Sequence, residues 1–242
     1  MSLLFLSCNQ INLNDEKDMS NACECLNPPT ETTAWDYPMK PGMEEWKQFH
    51  SNEEMVSACQ IPEKVLSSLS TEDLTKICIE YPLLADVFAF NFLSDGAYKL
   101  YNDFNGIREL FKRKNVSKEL LNHYNCLMRE FEFDSKSVIP VWSMEFLLGF
   151  YTQKADILTN EDCKNILQSL LCGYEKEVVH NDPDFSYPFP INFYARAHLI
   201  IKISPQSIEK IPGGKLNGVF NSDRFDRETM DIINELTYEL IK

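Results

Sequence analysis

The segment that most restricts the fold is residues 137–151, which read Ser-Val-Ile-Pro-Val-Trp-Ser-Met-Glu-Phe-Leu-Leu-Gly-Phe-Tyr. Nearly every side of a helix formed by this segment would be apolar, and a helix with that property is buried. Ser137 suits the N-cap, and Pro140 falls in the first turn, where its missing N–H costs nothing. The segment is too short to span a bilayer, which takes roughly 20 apolar residues. We therefore predict that it forms the central buried helix of a helical domain.

Other helical patterns lie on both sides of this segment. Ser51, Ser70 and Thr159 are each followed three residues later by Glu or Asp, which is the spacing of a capping box at a helix start. The clearest amphipathic stripe follows Thr159, and no convincing run of alternating strand residues occurs. The sequence therefore predicts an all-α fold over residues 35–242, formed as a single domain. We expect an irregular multi-helical bundle, or a short superhelical stack of helical hairpins, around the central helix.

The charge balance excludes one large class of partner. The 242 residues carry a formal net charge of −14, whereas a nucleic-acid-binding protein needs a basic surface to neutralise phosphates. The concentrated basic run Lys112-Arg113-Lys114 falls at a predicted helix end, where cations complement the helix dipole. We therefore expect no nucleic-acid partner.

The N-terminal residues indicate a location. Leu3-Leu4-Phe5-Leu6-Ser7-Cys8 is typical of the end of a bacterial lipoprotein signal, where a short apolar region leads into a lipidated cysteine. The match lacks a basic region before it, and Phe5 replaces the usual aliphatic residue. We interpret residues 1–8 as a truncated signal remnant with lipid attached to Cys8, and residues 9–34, which are rich in polar residues, as a flexible tether. The prediction is a protein of the bacterial cell envelope that contacts the membrane only through its lipid.

The eight cysteines do not define a simple disulfide framework. If Cys8 carries lipid, seven remain, and an odd number cannot pair completely within the chain. Cys23 and Cys25 are too close in sequence to bridge each other easily. The cysteines within or beside helical patterns are interpreted as small buried hydrophobic residues: Cys59, Cys78, Cys163 and Cys172.

The spacing of potential metal ligands is equally uninformative. His123 and Cys126 lie three residues apart on a predicted helix and have the spacing of a metal-ligand pair, but they fall off its buried stripe and are predicted to be surface residues. No Cys-x-x-Cys motif is present. We predict no metal site and no cofactor.

A set of short motifs carries a resemblance to a known family. The motifs are Trp35, Tyr37-Pro38, Pro41-Gly42-x-Glu44-Glu45-Trp46-Lys47, Gln60-Ile61-Pro62, Leu69-Ser70-Thr71, Tyr81-Pro82 and Asn91. Over roughly residues 35–124 the chain resembles a family of lipoproteins from Bacteroides-type gut bacteria. The resemblance implies a multi-helical fold and a cell-envelope location, and it brings neither an activity nor functional residues.

Two polar sites are candidates for chemistry. Glu145 is a carboxylate in a very apolar helix, so burial could raise its pKa enough for acid or base catalysis; the alternative, which we favour, is a solvent-facing position or a pair with Lys or Arg. His180, Asp182 and Asp184 share one short loop and have ligand types suited to a divalent ion, although an ordinary Asx-type turn explains the same pattern better.

One aromatic cluster is a candidate for binding. Trp35, Tyr37 and Trp46 have flat rings that suit a sugar or a peptide, although we favour the alternative, in which they clamp the tether onto the helical body. The sequence thus favours a non-catalytic lipoprotein whose body binds a protein or polysaccharide partner. The alternative is a hydrolase that uses carboxylates near Glu145 or at Asp182 and Asp184.

Overall fold

A computed structural model describes residues 24–28, 34–131, 135–155, 158–179, 190–211 and 226–242. All regular secondary structure in these ranges is helical, which confirms the predicted all-α, multi-helical fold. The α-helices are α1 (Asn52–Ala58), α2 (Glu63–Leu66), α3 (Thr71–Ile79), α4 (Leu93–Asp103), α5 (Asn105–Leu110), α6 (Val116–Arg129), α7 (Ser135–Lys154), α8 (Asn160–Val179), α9 (Pro190–Ile203) and α10 (Arg227–Ile241). Short 3₁₀ helices occupy Glu45–Gln48, Leu84–Ala89 and Pro205–Lys210.

Helix α7 is the predicted central helix. Its residues from Val141 to Tyr151 are buried, apart from Trp142, which is partly exposed. The predicted start is wrong by two residues, because α7 begins at Ser135, so Ser137 is not its N-cap and Pro140 lies inside the helix. Ile139 and Pro140 are exposed, and the buried part of the helix begins only after them.

The most extensive helix–helix contact joins α7 to α9. Gly149 makes this close packing achievable: a Cβ atom there would lie 2.9 Å from the Cα atom of Ala195. Helix α9 is itself almost fully buried along residues 191–200, so the core of the bundle is built around two apolar helices and not one.

The predicted capping residues begin their helices as expected. Ser51 Oγ accepts a hydrogen bond from the backbone N–H of Glu54 at 3.2 Å. Ser70 Oγ accepts from Asp73 at 3.0 Å, and Thr159 Oγ1 accepts from Asp162 at 3.0 Å. These bonds satisfy backbone donors that have no partner within the first turn of a helix.

A disulfide fixes part of the N-terminal segment to the body. Cys25 is bonded to Cys126 on α6, across a sequence separation of 101 residues, and the side-chain amide of Asn122 donates to the carbonyl of Asn27. Residues 24–28 are therefore held against α6, and the prediction of a free tether over residues 9–34 is wrong for these five positions.

Cys126 and His123 on α6 are both less exposed than the sequence predicts. Cys126 is 7% exposed and disulfide-bonded, so its prediction as a surface residue is wrong, because the stripe on α6 did not show that a second segment covers its other side. His123 is also partly buried, and burial lowers its pKa to about 4. Cys172 is disulfide-bonded too, whereas Cys59, Cys78 and Cys163 are free and buried as predicted.

Side-chain hydrogen bonds join residues 60–61 to the α4–α5 junction. Asn105 accepts from the backbone N–H of Ile61 at 3.0 Å and donates to the carbonyl of Ile61 at 2.7 Å, so one amide replaces a pair of backbone partners. Gln60 makes the reciprocal bonds with the backbone of Asp103 and Asn105. The first helices are thereby attached to the bundle.

None of the described helices has the length and apolar character that crossing a membrane requires.

Candidate functional site

A buried polar cluster lies where α6, α7, α8 and α9 meet. It consists of Tyr124, Glu145, Glu177, Asn192 and Arg196, which come from all four helices. Four of these side chains are 0% exposed and Glu177 is 5% exposed. Ionisable groups are rarely buried unless they are paired, so the contacts within the cluster decide how the core tolerates them.

Glu145 is the centre of this cluster. Its Oε1 atom accepts one hydrogen bond from the Tyr124 hydroxyl at 2.9 Å and another from the Asn192 side-chain amide at 2.5 Å. The same amide of Asn192 donates to the carbonyl of Leu170 at 3.0 Å, which ties α9 to α8. The alternative in which Glu145 faces solvent is wrong, because α9 packs over the strip of α7 that carries Glu145 and Gly149.

A second carboxyl group acts on Glu145. Glu145 and Glu177 each shift the pKa of the other, and Glu145 Oε2 and Glu177 Oε1 have no hydrogen-bond partner among the described residues. Burial and the charge of Glu145 raise the pKa of Glu177 above neutral pH, so we expect Glu177 to be protonated there and able to donate a hydrogen bond to the Glu145 carboxylate.

Burial is the main reason that the pKa values of both carboxyl groups are raised. For Glu177 the charge of Glu145 raises the pKa further, because two like charges in a dry interior repel each other. For Glu145 the hydrogen bonds from Asn192 and Tyr124 oppose the effect of burial by stabilising the ionised form. The environment thus separates the two groups into one neutral acid and one carboxylate.

Arg196 supplies the compensating positive charge. Its guanidinium carbon lies 4.8 Å from the ring centre of Tyr174 and 4.5 Å from that of Phe193, and its Nη1 atom donates to Thr237 Oγ1 at 3.4 Å. Burial lowers the pKa of Arg196 to about 10, so it stays protonated at neutral pH. One guanidinium and one carboxylate then balance each other, while Nε and Nη2 of Arg196 have no hydrogen-bond partner among the described residues.

The cluster contains the groups of an acid–base site but lacks an open path to it. A protonated carboxyl group, a carboxylate and a guanidinium can in principle move and stabilise protons and charge. All five side chains are nevertheless enclosed by the bundle. The cluster therefore stabilises the fold, because its charges and hydrogen bonds join four helices.

An open pocket lies at a different place, between the 3₁₀ helix Leu84–Ala89 and α4. The empty space at its mouth and between its walls, including the part open to solvent, is about 290 Å³, and its charged lining residues are Asp86, Lys99 and Asp103. Lys99 and Asp103 form an ion pair one helical turn apart on α4. The pocket does not include any member of the buried cluster.

The structure places the three predicted binding aromatics in unequal positions. Tyr37 is 3% exposed, and its hydroxyl donates to the carbonyl of Ile77 at 2.8 Å, so its ring faces the core. Trp35 is partly buried against Tyr37, with ring centres 4.6 Å apart, and the partly buried Trp46 packs on Phe49 instead. The buried ring of Tyr37 cannot contact a sugar. Its position suits the hypothesis that Tyr37 clamps the N-terminal segment onto the helical body.

The remaining predicted site residues lie outside the described ranges. They are Cys8, His180, Asp182 and Asp184. Within the described ranges, His, Cys, Asp and Glu side chains do not gather in groups of three or more that suit a metal ion.

The sequence indicates Glu145 but not its partners. Arg196 had a usable signal, because it is the single charged residue in the apolar run of residues 191–201, as Glu145 is in residues 137–153. Two such residues of opposite sign in two buried helices predict each other as partners. Glu177 and Asn192 had no comparable signal, since both stand near helix ends where polar residues are ordinary.

Comparisons of the chain with protein-family models, with curated proteins and with solved structures found no match.

Proposed function

We propose that this chain is a non-catalytic lipoprotein of the bacterial cell envelope, whose helical body binds a protein or polysaccharide partner. Lipid on Cys8 holds it at the membrane, and the polar residues after Cys8 separate the lipid from the body. The apolar run that precedes Cys8 and the family resemblance over residues 35–124 both favour this location.

The observation that carries the proposal is the Cys25–Cys126 disulfide. Disulfides persist in oxidising compartments, such as the bacterial periplasm and the cell surface, and are rare in the cytosol. Cys172 is disulfide-bonded as well. A chain with these bonds matches an exported protein, and the lipoprotein-like sequence around Cys8 supplies the route of export.

The difference in solvent exposure between the buried cluster and the pocket favours binding over catalysis. The buried cluster is closed to solvent, whereas the pocket beside α4 is open, so a partner can reach the pocket without any movement of the helices. The net charge of −14 favours partners that are neutral or basic.

The hydrolase alternative rests on the raised pKa values of Glu145 and Glu177. It requires a substrate to reach side chains that are 0% and 5% exposed, which in turn requires α8 or α9 to move away from α7. The binding proposal needs no such movement, and we therefore prefer it.

Cell fractionation tests the proposal. In the bacterium that encodes the protein, the wild-type chain should sediment with membranes and be released by detergent, and the Cys8→Ser variant should lose this association. Cys25→Ser is the matched control, because it makes the same substitution in the same N-terminal region and should leave the chain on the membrane. Unchanged membrane association of Cys8→Ser would contradict the lipid anchor.

A further inference from the structure

We propose that the pocket between the 3₁₀ helix Leu84–Ala89 and α4 binds a lysine side chain of a protein partner. This inference rests on the proposed binding function and names the partner chemistry. The pocket combines an apolar wall with the carboxylate of Asp86, which forms no salt bridge with the described residues.

The apolar part of the pocket suits the stem of a long side chain. Its walls include Val56, Leu83, Val87, Phe90 and Leu100. Gly96 sets how closely the two walls approach, since a Cβ atom at this position would lie 2.6 Å from the carbonyl oxygen of Val87. The four-carbon stem of a lysine can cover apolar surface of this kind while its charged end stays at the rim.

The charges around the pocket favour a cation. Lys99 is already paired with Asp103, so these two residues contribute little net charge. The carboxylate of Asp86 makes no hydrogen bond or salt bridge with the described residues, and Lys99 acts on it only through a weaker, longer-range attraction. Asp86 is an exposed residue, so an incoming ammonium group can reach its carboxylate, and the partial burial that raises its pKa leaves the ionised form less well solvated than in open water.

Two further features strengthen this choice of ligand. The ring of Phe90 lines the pocket, and aromatic rings attract cations through their negative faces; the ring of Tyr81, which also lines it, is stacked on Phe104. The chain as a whole has a net charge of −14, which favours the approach of a basic partner and disfavours an acidic one. An anionic ligand would be repelled by the Asp86 carboxylate, and a neutral ligand would leave the negative charge of Asp86 without a salt bridge.

A pair of small probes tests the inference on the purified protein. The probes are N-acetyl-lysine methylamide and N-acetyl-norleucine methylamide, which share an apolar stem and differ in the ammonium group. We expect the lysine probe to shift the amide resonances of Gly96 and Lys99 saturably in a two-dimensional proton–nitrogen NMR titration. The norleucine probe should bind about fivefold more weakly, because one close charge pair near water contributes about a factor of five.

A matched pair of variants identifies the carboxylate. Asp86→Asn should weaken binding of the lysine probe about fivefold and leave norleucine binding unchanged. Asp95→Asn is the control, because it removes the same charge from exposed α4 surface outside the pocket, and it should change the affinity less than twofold. Circular dichroism confirms that both variants fold.

Three results would overturn the inference: no saturable shift at the pocket, equal affinity for the two probes, or equal effects of the two variants. None of these depends on where the protein resides in the cell. If the probes fail while Cys8→Ser still leaves the membrane, the lipoprotein proposal stands and the lysine pocket does not.

Discussion

Asn192 donates a 2.5 Å hydrogen bond to Glu145, and this contact joins the two most extensively packed helices of the bundle, α9 and α7. Asn192 also donates to Leu170 on α8, so one amide serves three helices. A buried acceptor that loses its donor keeps its full desolvation penalty, which makes this amide a sensitive point of the fold.

Replacing Asn192 by Leu removes both hydrogen bonds and leaves a buried carboxylate with one donor fewer. We expect the free energy of unfolding to fall by about 1.5–3 kcal/mol, the range for hydrogen bonds to charged groups. Urea denaturation followed by circular dichroism measures the change. Asn122→Leu is the control, because Asn122 makes its bond at the surface and should cost less than about 1 kcal/mol. Equal losses would show that Asn192 has no special role.

The shared proton of Glu145 and Glu177 predicts a dependence on pH. Their folded-state pKa values are raised, so above about pH 4.3 the folded chain holds a proton that the unfolded chain has lost. Stability from the pair is therefore greatest at low pH and falls as pH rises through the folded-state pKa, by at most about 1.4 kcal/mol per pH unit. Denaturation curves between about pH 7.5 and 9 lie above the range in which histidines, with a pKa of about 6.5, titrate in the unfolded chain.

Glu177→Gln isolates this effect, because Gln keeps an N–H donor for Glu145 and has no proton to lose. The variant should lose less stability than the wild type as pH rises. A protonated carboxyl group in the wild type should also give an infrared carbonyl band at neutral pH that the variant lacks. Parallel pH profiles together with no such band in the wild type would show that the pair does not share a proton.

Gly173 leaves room for the Tyr124 hydroxyl. A Cβ atom at position 173 would lie 1.9 Å from that hydroxyl oxygen, so Gly173→Ala must displace Tyr124 from Glu145. We expect a loss of about 1–3 kcal/mol by overpacking, although Ala is the better helix former. In a Tyr124→Phe background, where the nearest atom would be the ring carbon at 2.9 Å, the same change should cost less. Equal costs in both backgrounds would contradict this explanation.

The disulfide between Cys25 and Cys126 closes a long loop and restricts the unfolded chain. Cys25→Ser should lower the free energy of unfolding by about 2–4 kcal/mol. Cys126→Ser and the double variant should lose the same amount, because any of the three removes the same bond. A double variant that loses the sum of the single losses would show that the two cysteines act separately.

The sequence was sufficient for the helical class, because burial of α7 follows from its composition alone and the capping residues mark three helix starts. It was not sufficient for the site. Glu145, Tyr124 and Arg196 belong to helices separated by long stretches of chain, and no local pattern states which faces of those helices meet. The solvent-facing interpretation of Glu145 failed for this reason. Its other form, a pair with a basic residue, matches the position of Arg196.

The cysteines illustrate the same limit. Burial of Cys59, Cys78 and Cys163 follows from their helical surroundings, so local pattern predicted it. The Cys25–Cys126 bond depends on where a polar N-terminal segment returns to the body, and spacing carries no information about that. The sequence pattern alone therefore places Cys126 at the surface, although residues 24–28 cover it.

The compartment of the chain is the central claim, and the state of its cysteines in living cells tests it most directly. Cells of the bacterium that encodes the protein are quenched in acid and alkylated without reduction, and the digested chain is examined by mass spectrometry. We expect a linked peptide pair that contains Cys25 and Cys126, with Cys59, Cys78 and Cys163 alkylated once the chain is unfolded. Alkylation of both Cys25 and Cys126 in place of the linked pair would contradict an oxidising, extracytoplasmic location.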